Sequence, residues 1–270
     1  MNPPFNKKIL DLGCGPNKVK GALGVDIIPM TGVDVVANFF ELTYPFADNT
    51  FDEINLIDVI EHLPNTIKTM EEIYRIARPG AKIFIRVVNW NSIYSAMDPT
   101  HVKTFTEDSF DFYGSRPGRN YYTKARFDVV HVDYLYNPDV QKFIRSRRIM
   151  KSLSYYLCNV LLSLDFELRA IKPSTHTETN SSESENPVFS DLRCPHCVSG
   201  KYRRNGPDPG KLDLHENTWL ICREPECGRK YPVINGLPIM INEEAELYCG
   251  IPREELPEPP KDKYSIVPNN

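Results

Sequence analysis

Lys7-Lys8-Ile9-Leu10-Asp11-Leu12-Gly13-Cys14-Gly15-Pro16 is the stretch that decides the fold. A short apolar run ends in an acid and breaks into a Gly-x-Gly turn. A buried parallel strand delivers its C-terminal end to a ligand in this way. Gly13 and Gly15 let the backbone come close to that ligand, because neither carries a Cβ and both tolerate positive φ. The dinucleotide fingerprint asks for a third glycine at position 18, where Lys18 stands, so a nicotinamide dinucleotide is disfavoured.

Around this stretch, 270 residues leave room for one good-sized domain plus a small one. An apolar fraction of 41% and a charged fraction of 25% are those of an ordinary globular chain. The net charge of −4 gives no global basic signal, so nucleic-acid binding would rest on a local patch. No run is apolar for long enough to span a bilayer, and Met1-Asn2-Pro3-Pro4-Phe5 holds no signal-peptide core. Of seven cysteines, four cluster late, which points to a metal site in a reducing compartment rather than a disulfide scaffold. A cytoplasmic location is the expectation.

Ile9-Leu10-Asp11-Leu12-Gly13-Cys14-Gly15 resembles the first motif of class I S-adenosylmethionine-dependent methyltransferases. Tyr44-Pro-Phe-Ala-Asp-Asn-Thr-Phe-Asp52 and Asp58-Val-Ile-Glu-His-Leu63 resemble that family's PF-x-D-x-x-F-D and EHL segments, and Pro79-Gly80 precedes an apolar strand as it does there. The resemblance covers about residues 7–171. It implies an α/β, Rossmann-like seven-stranded sheet and S-adenosylmethionine as cofactor. It also implies that Asp11, Gly13 and Gly15 hold the amino-acid end of the cofactor and that Asp26, ending the second strand, takes the ribose hydroxyls. Asn38 occupies the place of the family's adenine-facing Asp, and its side-chain carbonyl can still accept from an amine. Asp58 falls beside the methyl-donor pocket. His62 is a candidate general base; shaping the start of the next helix is its alternative reading. His101, with Asn89 and Trp90, sits in loops that line the acceptor side in this fold. The segment after strand four is not Asn-Pro-Pro-Tyr, which disfavours amide and adenine-amine acceptors.

The rest of this half reads as alternating elements. Between Gly15 and Leu23 there is hardly room for a crossover of about a dozen residues, so a truncated first helix is expected. Ile67, Met70, Ile73 and Ile76 recur at helical spacing from Asn65 to Ala77, and Arg78-Pro79-Gly80 ends that helix. Strands follow at 81–88, 127–136 and 166–171. Between the last two, Phe143, Met150, Leu153, Leu157, Val160, Leu161 and Leu164 mark one face of a helix whose first half carries Lys142, Arg145, Arg147, Arg148 and Lys151. RNA phosphates, an anionic membrane or plain solvation all suit such a face.

Residues 172–190 form a polar, low-complexity linker that spans roughly 20–25 Å on average. Beyond it, Cys194-Pro-His-Cys197 and Cys222-Arg-Glu-Pro-Glu-Cys227 supply four thiolates for a structural Zn2+, with His196 and His215 as fallback ligands. A unit of about 50 residues is too small to rest on its apolar core, so the metal would contribute much of its folding energy. Cys227-Gly-Arg-Lys-Tyr-Pro-Val-Ile-Asn-Gly-Leu-Pro-Ile-Met240 resembles the zinc-ribbon activator subunit of tRNA, rRNA and release-factor methyltransferases, over about residues 191–245. That subunit binds catalytic partners and covers their apolar surface, so the fusion implies intramolecular docking at raised effective concentration. The expected division is 1–171 methyltransferase domain, 172–190 linker, 191–250 zinc ribbon and 251–270 disordered tail. The expected function is methyl transfer to RNA or a translation component with the ribbon as built-in activator. The alternatives are a small metabolite, lipid or glycan acceptor, or a non-catalytic cofactor-binding scaffold that activates another methyltransferase.

Overall fold

The structure, a computed structural model, describes residues 7–114, 120–173 and 187–264. Its N-terminal part is a seven-stranded sheet of strand order β3-β2-β1-β4-β5-β7-β6. The strands are β1 (Ile9–Leu12), β2 (Leu23–Asp26), β3 (Val35–Val36), β4 (Phe51–Ile57), β5 (Ala77–Val88), β6 (Phe127–Tyr136) and β7 (Leu161–Ala170). The first five run parallel, and β7 enters antiparallel between β5 and β6. This is the Rossmann-like sheet that the sequence implies. The strand order reverses between β1 and β4, and an open α/β sheet binds its ligands where that happens, beyond the carboxyl ends of the strands.

Between β4 and β5 lies helix α1 (Thr66–Ile76), capped by Asn65, whose side chain accepts the Lys68 amide. Its Met70, Ile73 and Ile76 are fully buried. A short helix, α2 (Ile93–Met97), follows β5, and α3 (Pro138–Phe143) and α4 (Arg147–Ser154) separate β6 from β7.

Three local expectations are corrected. No helix forms between β1 and β2: the Asp11 carboxylate accepts the Val19 N–H at 2.7 Å, and the Ala22 N–H turns back onto Val19 O at 3.1 Å. A hydrogen-bonded loop does the work of the crossover. Arg78-Pro79-Gly80 is a bulge within β5 rather than a turn before it, since Ala77 already pairs with Phe51 and the register then jumps to Glu53–Lys82. The single helix read over 143–164 is two short helices and the start of a strand. Asn159 at φ 65° breaks the chain, and the alternating burial of Leu164, Phe166 and Leu168 claims that segment for the sheet.

The C-terminal part is an antiparallel sheet of order β11-β10-β9-β8, made from β8 (Leu212–His215), β9 (Trp219–Cys222), β10 (Lys230–Ile234) and β11 (Leu237–Pro238). Helices α5 (Pro187–Asp191) and α6 (Pro195–Val198) precede it and α7 (Asn242–Glu246) follows. Residues 174–186 of the expected linker lie outside the described residues. Residues 251–264, expected as part of an unstructured tail, run back over this sheet: the Trp219 indole N–H donates to Pro257 O at 3.1 Å, and Tyr264 is buried with Leu237 and Ile239.

This part sits on the free edge of the large sheet. Val36 of β3 forms a parallel bridge with Ile239, and the Met240 N–H donates to Val36 O at 2.7 Å. A second seam joins Phe46 to Leu192, with the Arg193 N–H on Pro45 O at 2.9 Å and Lys8 Nζ on Asp191 at 2.7 Å. An unpaired edge strand is a template for aggregation; here it is covered by the same chain. Among the described residues no helix is long and apolar enough to cross a membrane.

Candidate functional site

The turn after β1 opens at the switch point. Gly13 takes φ 67° and Gly15 φ 50°, a region costly for residues with a Cβ. Their surroundings differ in a way that assigns them different jobs. A Cβ on Gly13 would stand 2.5 Å from Val59 Cγ2, so this glycine lets the loops after β1 and β4 close on each other. A Cβ on Gly15 would meet nothing within 4 Å, so its backbone faces open space.

Asp26 ends β2 beside it. One carboxylate oxygen accepts the Gly15 N–H and the other the Ile28 N–H, both at 3.0 Å, which leaves each oxygen a further lone pair for a ribose hydroxyl. Asp11 is only 2% exposed. Burial pushes its carboxyl above the usual aspartate range, against the Val19 hydrogen bond and Lys18. Cys14, in the turn itself, is pushed up to about 12 by burial and by the Asp11 and Asp26 charges, so its thiol stays protonated and inert. Asn38 caps the turn after β3: Oδ1 accepts the Phe40 N–H at 3.0 Å and Nδ2 reaches Glu41 at 3.3 Å. These residues share the rim formed by β1, β2 and β3. The set offers acceptors for an amine and for hydroxyls along one rim, donor chemistry that suits S-adenosylmethionine.

Beyond β4 the backbone is strained at Asp58, φ 56°, immediately before the Val59 that meets Gly13. Asp58 is held above the usual aspartate range, first by desolvation and also by Asp165, with Arg86 opposing. His62 and His101 come together: their rings are 4.7 Å apart. Glu61 ties the two segments, since its carbonyl accepts both the Val102 and Lys103 amides, at 2.9 and 3.2 Å. Thr100 bridges His62 to Asp98. Its hydroxyl lies 2.6 Å from Asp98 Oδ1 and 2.8 Å from His62 Nδ1. Asp98 is held below the usual range, chiefly by Thr100, so it is the acceptor of the hydroxyl proton. The His62 Nδ1–H therefore donates to Thr100, and Nε2 keeps the free lone pair.

Asn89 is not on the acceptor side. It is buried, with its N–H on Leu162 O at 2.9 Å, and holds the loop in place. Trp90 is half exposed. Sequence reading missed Asp98 and Thr100 as site residues, although the Asp98-x-x-His101 spacing carries the signal: two polar ligand types three apart on one turn. Glu61 was assigned no role there. Glu61 is buried, held above the usual glutamate range by that burial, with one carboxylate oxygen lacking a partner.

The four cysteines converge as the sequence implies. Sγ of Cys194 is 3.7 Å from that of Cys227, and Cys222 is 3.8 Å from Cys197, all four within 4.8 Å of one another and buried. A tetrahedron of thiolates about 2.3 Å from a zinc ion has edges of about 3.8 Å, so the set fits Zn2+. Four thiolates around a dication would leave two negative charges; Arg229 Nη1 donates to Cys227 Sγ at 3.7 Å, and the Arg204 backbone N–H donates to Cys197 O at 2.9 Å, which brings a second arginine beside the cluster. Tyr231 hydroxyl stands 3.1 Å from Cys194 Sγ. The fallback ligands are not used: His196 stacks on Tyr202 and His215 lies in β8.

A strand order of this kind, with a Gly-x-Gly turn at the switch point and an acid ending β2, is typical of Rossmann-like methyltransferases. Residues 3–132, just under half of the chain, match the family model of the methyltransferase domain. Over 106 residues the chain is 24% identical to the ubiquinone biosynthesis O-methyltransferase of Pseudomonas aeruginosa, taking in 32% of this chain and 46% of that protein. Over 121 residues it is 27% identical to the sterol 4-C-methyltransferase strm-1 of Caenorhabditis elegans, 37% of this chain and 36% of that protein. A solved S-adenosylmethionine-dependent methyltransferase from Archaeoglobus fulgidus is similar at 17% identity and a TM-score of 0.44, covering 61% of this chain and 86% of that one. The chain spans less than half the length of the curated relatives it matches.

Proposed function

We propose that this chain transfers the methyl group of S-adenosylmethionine to a small, apolar acceptor, with a zinc ribbon docked in cis on its catalytic domain. The observation that carries the reading is the open Gly15 cradle, with Asp26 on one side and the Asp58–His62 loop on the other. Asp11, Gly13 and Gly15 hold the amino-acid end, Asp26 the ribose and Asn38 the adenine edge. The acceptor's lone pair attacks the methyl carbon as the carbon–sulfur bond breaks, and the sulfonium leaves as a neutral thioether. Because the donor is already activated, alignment and exclusion of water supply most of the catalysis. The acceptor's proton is drawn off on the His62–His101 side.

The acceptor class is argued from the loop that carries His101. Trp90, Ile93, Tyr94 and Met97 leave it 44–65% exposed, an apolar mouth rather than a basic one. The two relatives act, by their names, in ubiquinone biosynthesis and on sterols. RNA or a translation component is the second reading. It is favoured by exposed Lys142, Arg145 and Arg148 and by the resemblance of the ribbon to an activator of such enzymes. In this proposal residues 1–171 are the catalytic domain, 172–190 the linker and 191–250 the ribbon, working in a reducing cytoplasm that keeps the four thiols free.

The test is methyl-labelled S-adenosylmethionine incubated with a fractionated extract and the protein or its Asp26→Ala variant. Label in the organic-extractable fraction, lost with the variant, is the expected result. Label in RNA supports the second reading. Bound cofactor with no label anywhere would turn the chain into a scaffold.

A further inference from the structure

His62, Asp98 and His101 each offer a ligand atom within 4.8 Å of the other two, and His101 Nε2 stands 4.0 Å from Asp98 Oδ2. We infer that these three residues form an open binding site for a divalent transition-metal ion at the acceptor side of the methyl-donor pocket. The inference rests on the methyltransferase reading and specifies how the histidines serve it: by holding a cation rather than by taking the proton themselves.

What distinguishes this cluster from a chance meeting of polar groups is how each residue is oriented. Metal-binding histidines donate their other ring N–H to a carbonyl, hydroxyl or carboxylate, which fixes the ring and frees the ligating nitrogen. His62 does this through Nδ1 to Thr100, and His101 Nδ1 faces Ser95 O at 3.4 Å. The Asp98 carboxylate is fixed in the same manner. Oδ1 accepts both the Thr100 amide, at 2.8 Å, and its hydroxyl, at 2.6 Å, which leaves Oδ2 toward His101. Each of the three thus keeps a free lone pair with its other atom tied down. The two segments that bring them together are clamped by the Glu61 carbonyl, so the convergence belongs to the backbone.

Charge points the same way. The Asp98 carboxylate supplies a negative charge inside the cluster, and Asp58, four residues before His62, adds a second carboxylate on the same loop, charges of the sign a dication needs. Two histidines and one carboxylate leave coordination positions open, the arrangement of a reactive rather than a structural site. A hard oxygen donor fills such a position well, so the site selects an acceptor that presents a hydroxyl. A bound ion would lower the pKa of that hydroxyl. Trp90, Ile93, Tyr94 and Met97 then receive the rest of the molecule, and the acceptor class becomes an apolar alcohol or phenol.

The test uses the full chain carrying one zinc in its cysteine site. It is titrated with Mn2+, which thiolates bind poorly, by electron paramagnetic resonance, and with Zn2+ by calorimetry. The expected result is one further equivalent of metal per chain, weakened at least tenfold in both Asp98→Asn and His101→Gln. These variants keep one cysteine-bound zinc and unchanged S-adenosylmethionine binding, which shows that they are folded. Absence of any second equivalent of either ion overturns the inference, and so does a second equivalent that survives both substitutions. Cofactor binding is read separately by calorimetry. A protein that binds cofactor but no second metal loses only this inference, whereas one that binds no cofactor loses the methyltransferase reading itself.

Discussion

Gly13→Ala is the substitution whose consequence follows most directly from the geometry. The new Cβ would stand 2.5 Å from Val59 Cγ2 and 3.0 Å from Cγ1, well inside ordinary carbon contact, on a backbone at φ 67°. The left-handed conformation costs about 1–2 kcal/mol, and forcing an extra methyl into a packed contact costs about 1–3 kcal/mol. The sum is about 2–5 kcal/mol, and the loop that gives way carries either the Gly15 cradle or Asp58. The two contributions are separable, because Val59 Cβ itself lies 3.4 Å from the new atom, an ordinary contact. Val59→Ala should therefore recover the packing part and leave the conformational part. In a double-mutant cycle by urea unfolding, the two substitutions together should destabilise by about 1–3 kcal/mol less than the sum of the singles. Calorimetry with S-adenosylmethionine should show at least a tenfold loss of affinity for Gly13→Ala, partly restored in the double variant. Additivity within about 0.5 kcal/mol would refute the reasoning, because the glycine would then be required by something other than Val59.

Asp11→Asn should keep or raise the urea midpoint at pH 7 while weakening cofactor binding. Burial raises the folded-state pKa above the unfolded value, so ionisation costs stability as pH rises past that value, and an amide avoids the cost while still accepting the Val19 N–H; a lower midpoint at pH 7 would contradict this. Arg229→Leu should speed zinc loss to a colorimetric chelator, with affinity down about 10–100-fold, since it removes a donor to Cys227 Sγ. Ile239→Asp places a charge at a fully buried position against Val36 and should lower the melting temperature and promote aggregation through the uncovered β3 edge, read by light scattering.

The sheet was legible because its signals are local and doubled. Ile9–Leu12 and Ile54–Leu56 are short stretches dominated by buried Ile and Leu, each interrupted by one polar residue, and turn-forming residues follow them. The metal centre was legible because thiolate ligands occur in pairs with fixed spacing. The errors share a physical origin, which is that pattern does not report partners. Leu157, Val160, Leu161 and Leu164 satisfy helical spacing, yet β5 and β6 leave a gap between them that an antiparallel strand fills, and hydrogen bonding across the sheet overrides the period. Asp98 and Thr100 escaped notice because their role depends on His62, 36 and 38 positions away. Residues 251–264 read as a tail because proline and charge dominate them, but Trp219 and Leu237 offered an apolar surface to cover.

The place of the C-terminal part on the large sheet joins its four cysteines to the rim formed by β1, β2 and β3. β3 is a two-residue strand at the edge, held on one side only by β2. Its other side is supplied by Ile239 and Met240, and the chain leaves β3 directly into Asn38. Two further ties follow that turn: Asn242 Nδ2 donates to Thr43 Oγ1 at 3.4 Å, and Arg203 pairs with Asp48 at 2.8 Å. Asn242 also receives the Tyr231 hydroxyl, at 3.2 Å, and that hydroxyl stands against Cys194 Sγ. A path of packed contacts only a few residues long therefore runs from the four thiolates to the backbone that presents Asn38. A two-residue edge strand has little stability of its own. The position of Asn38 is therefore set by the C-terminal sheet as much as by β2, which gives that part of the chain a physical reason to lie where it does.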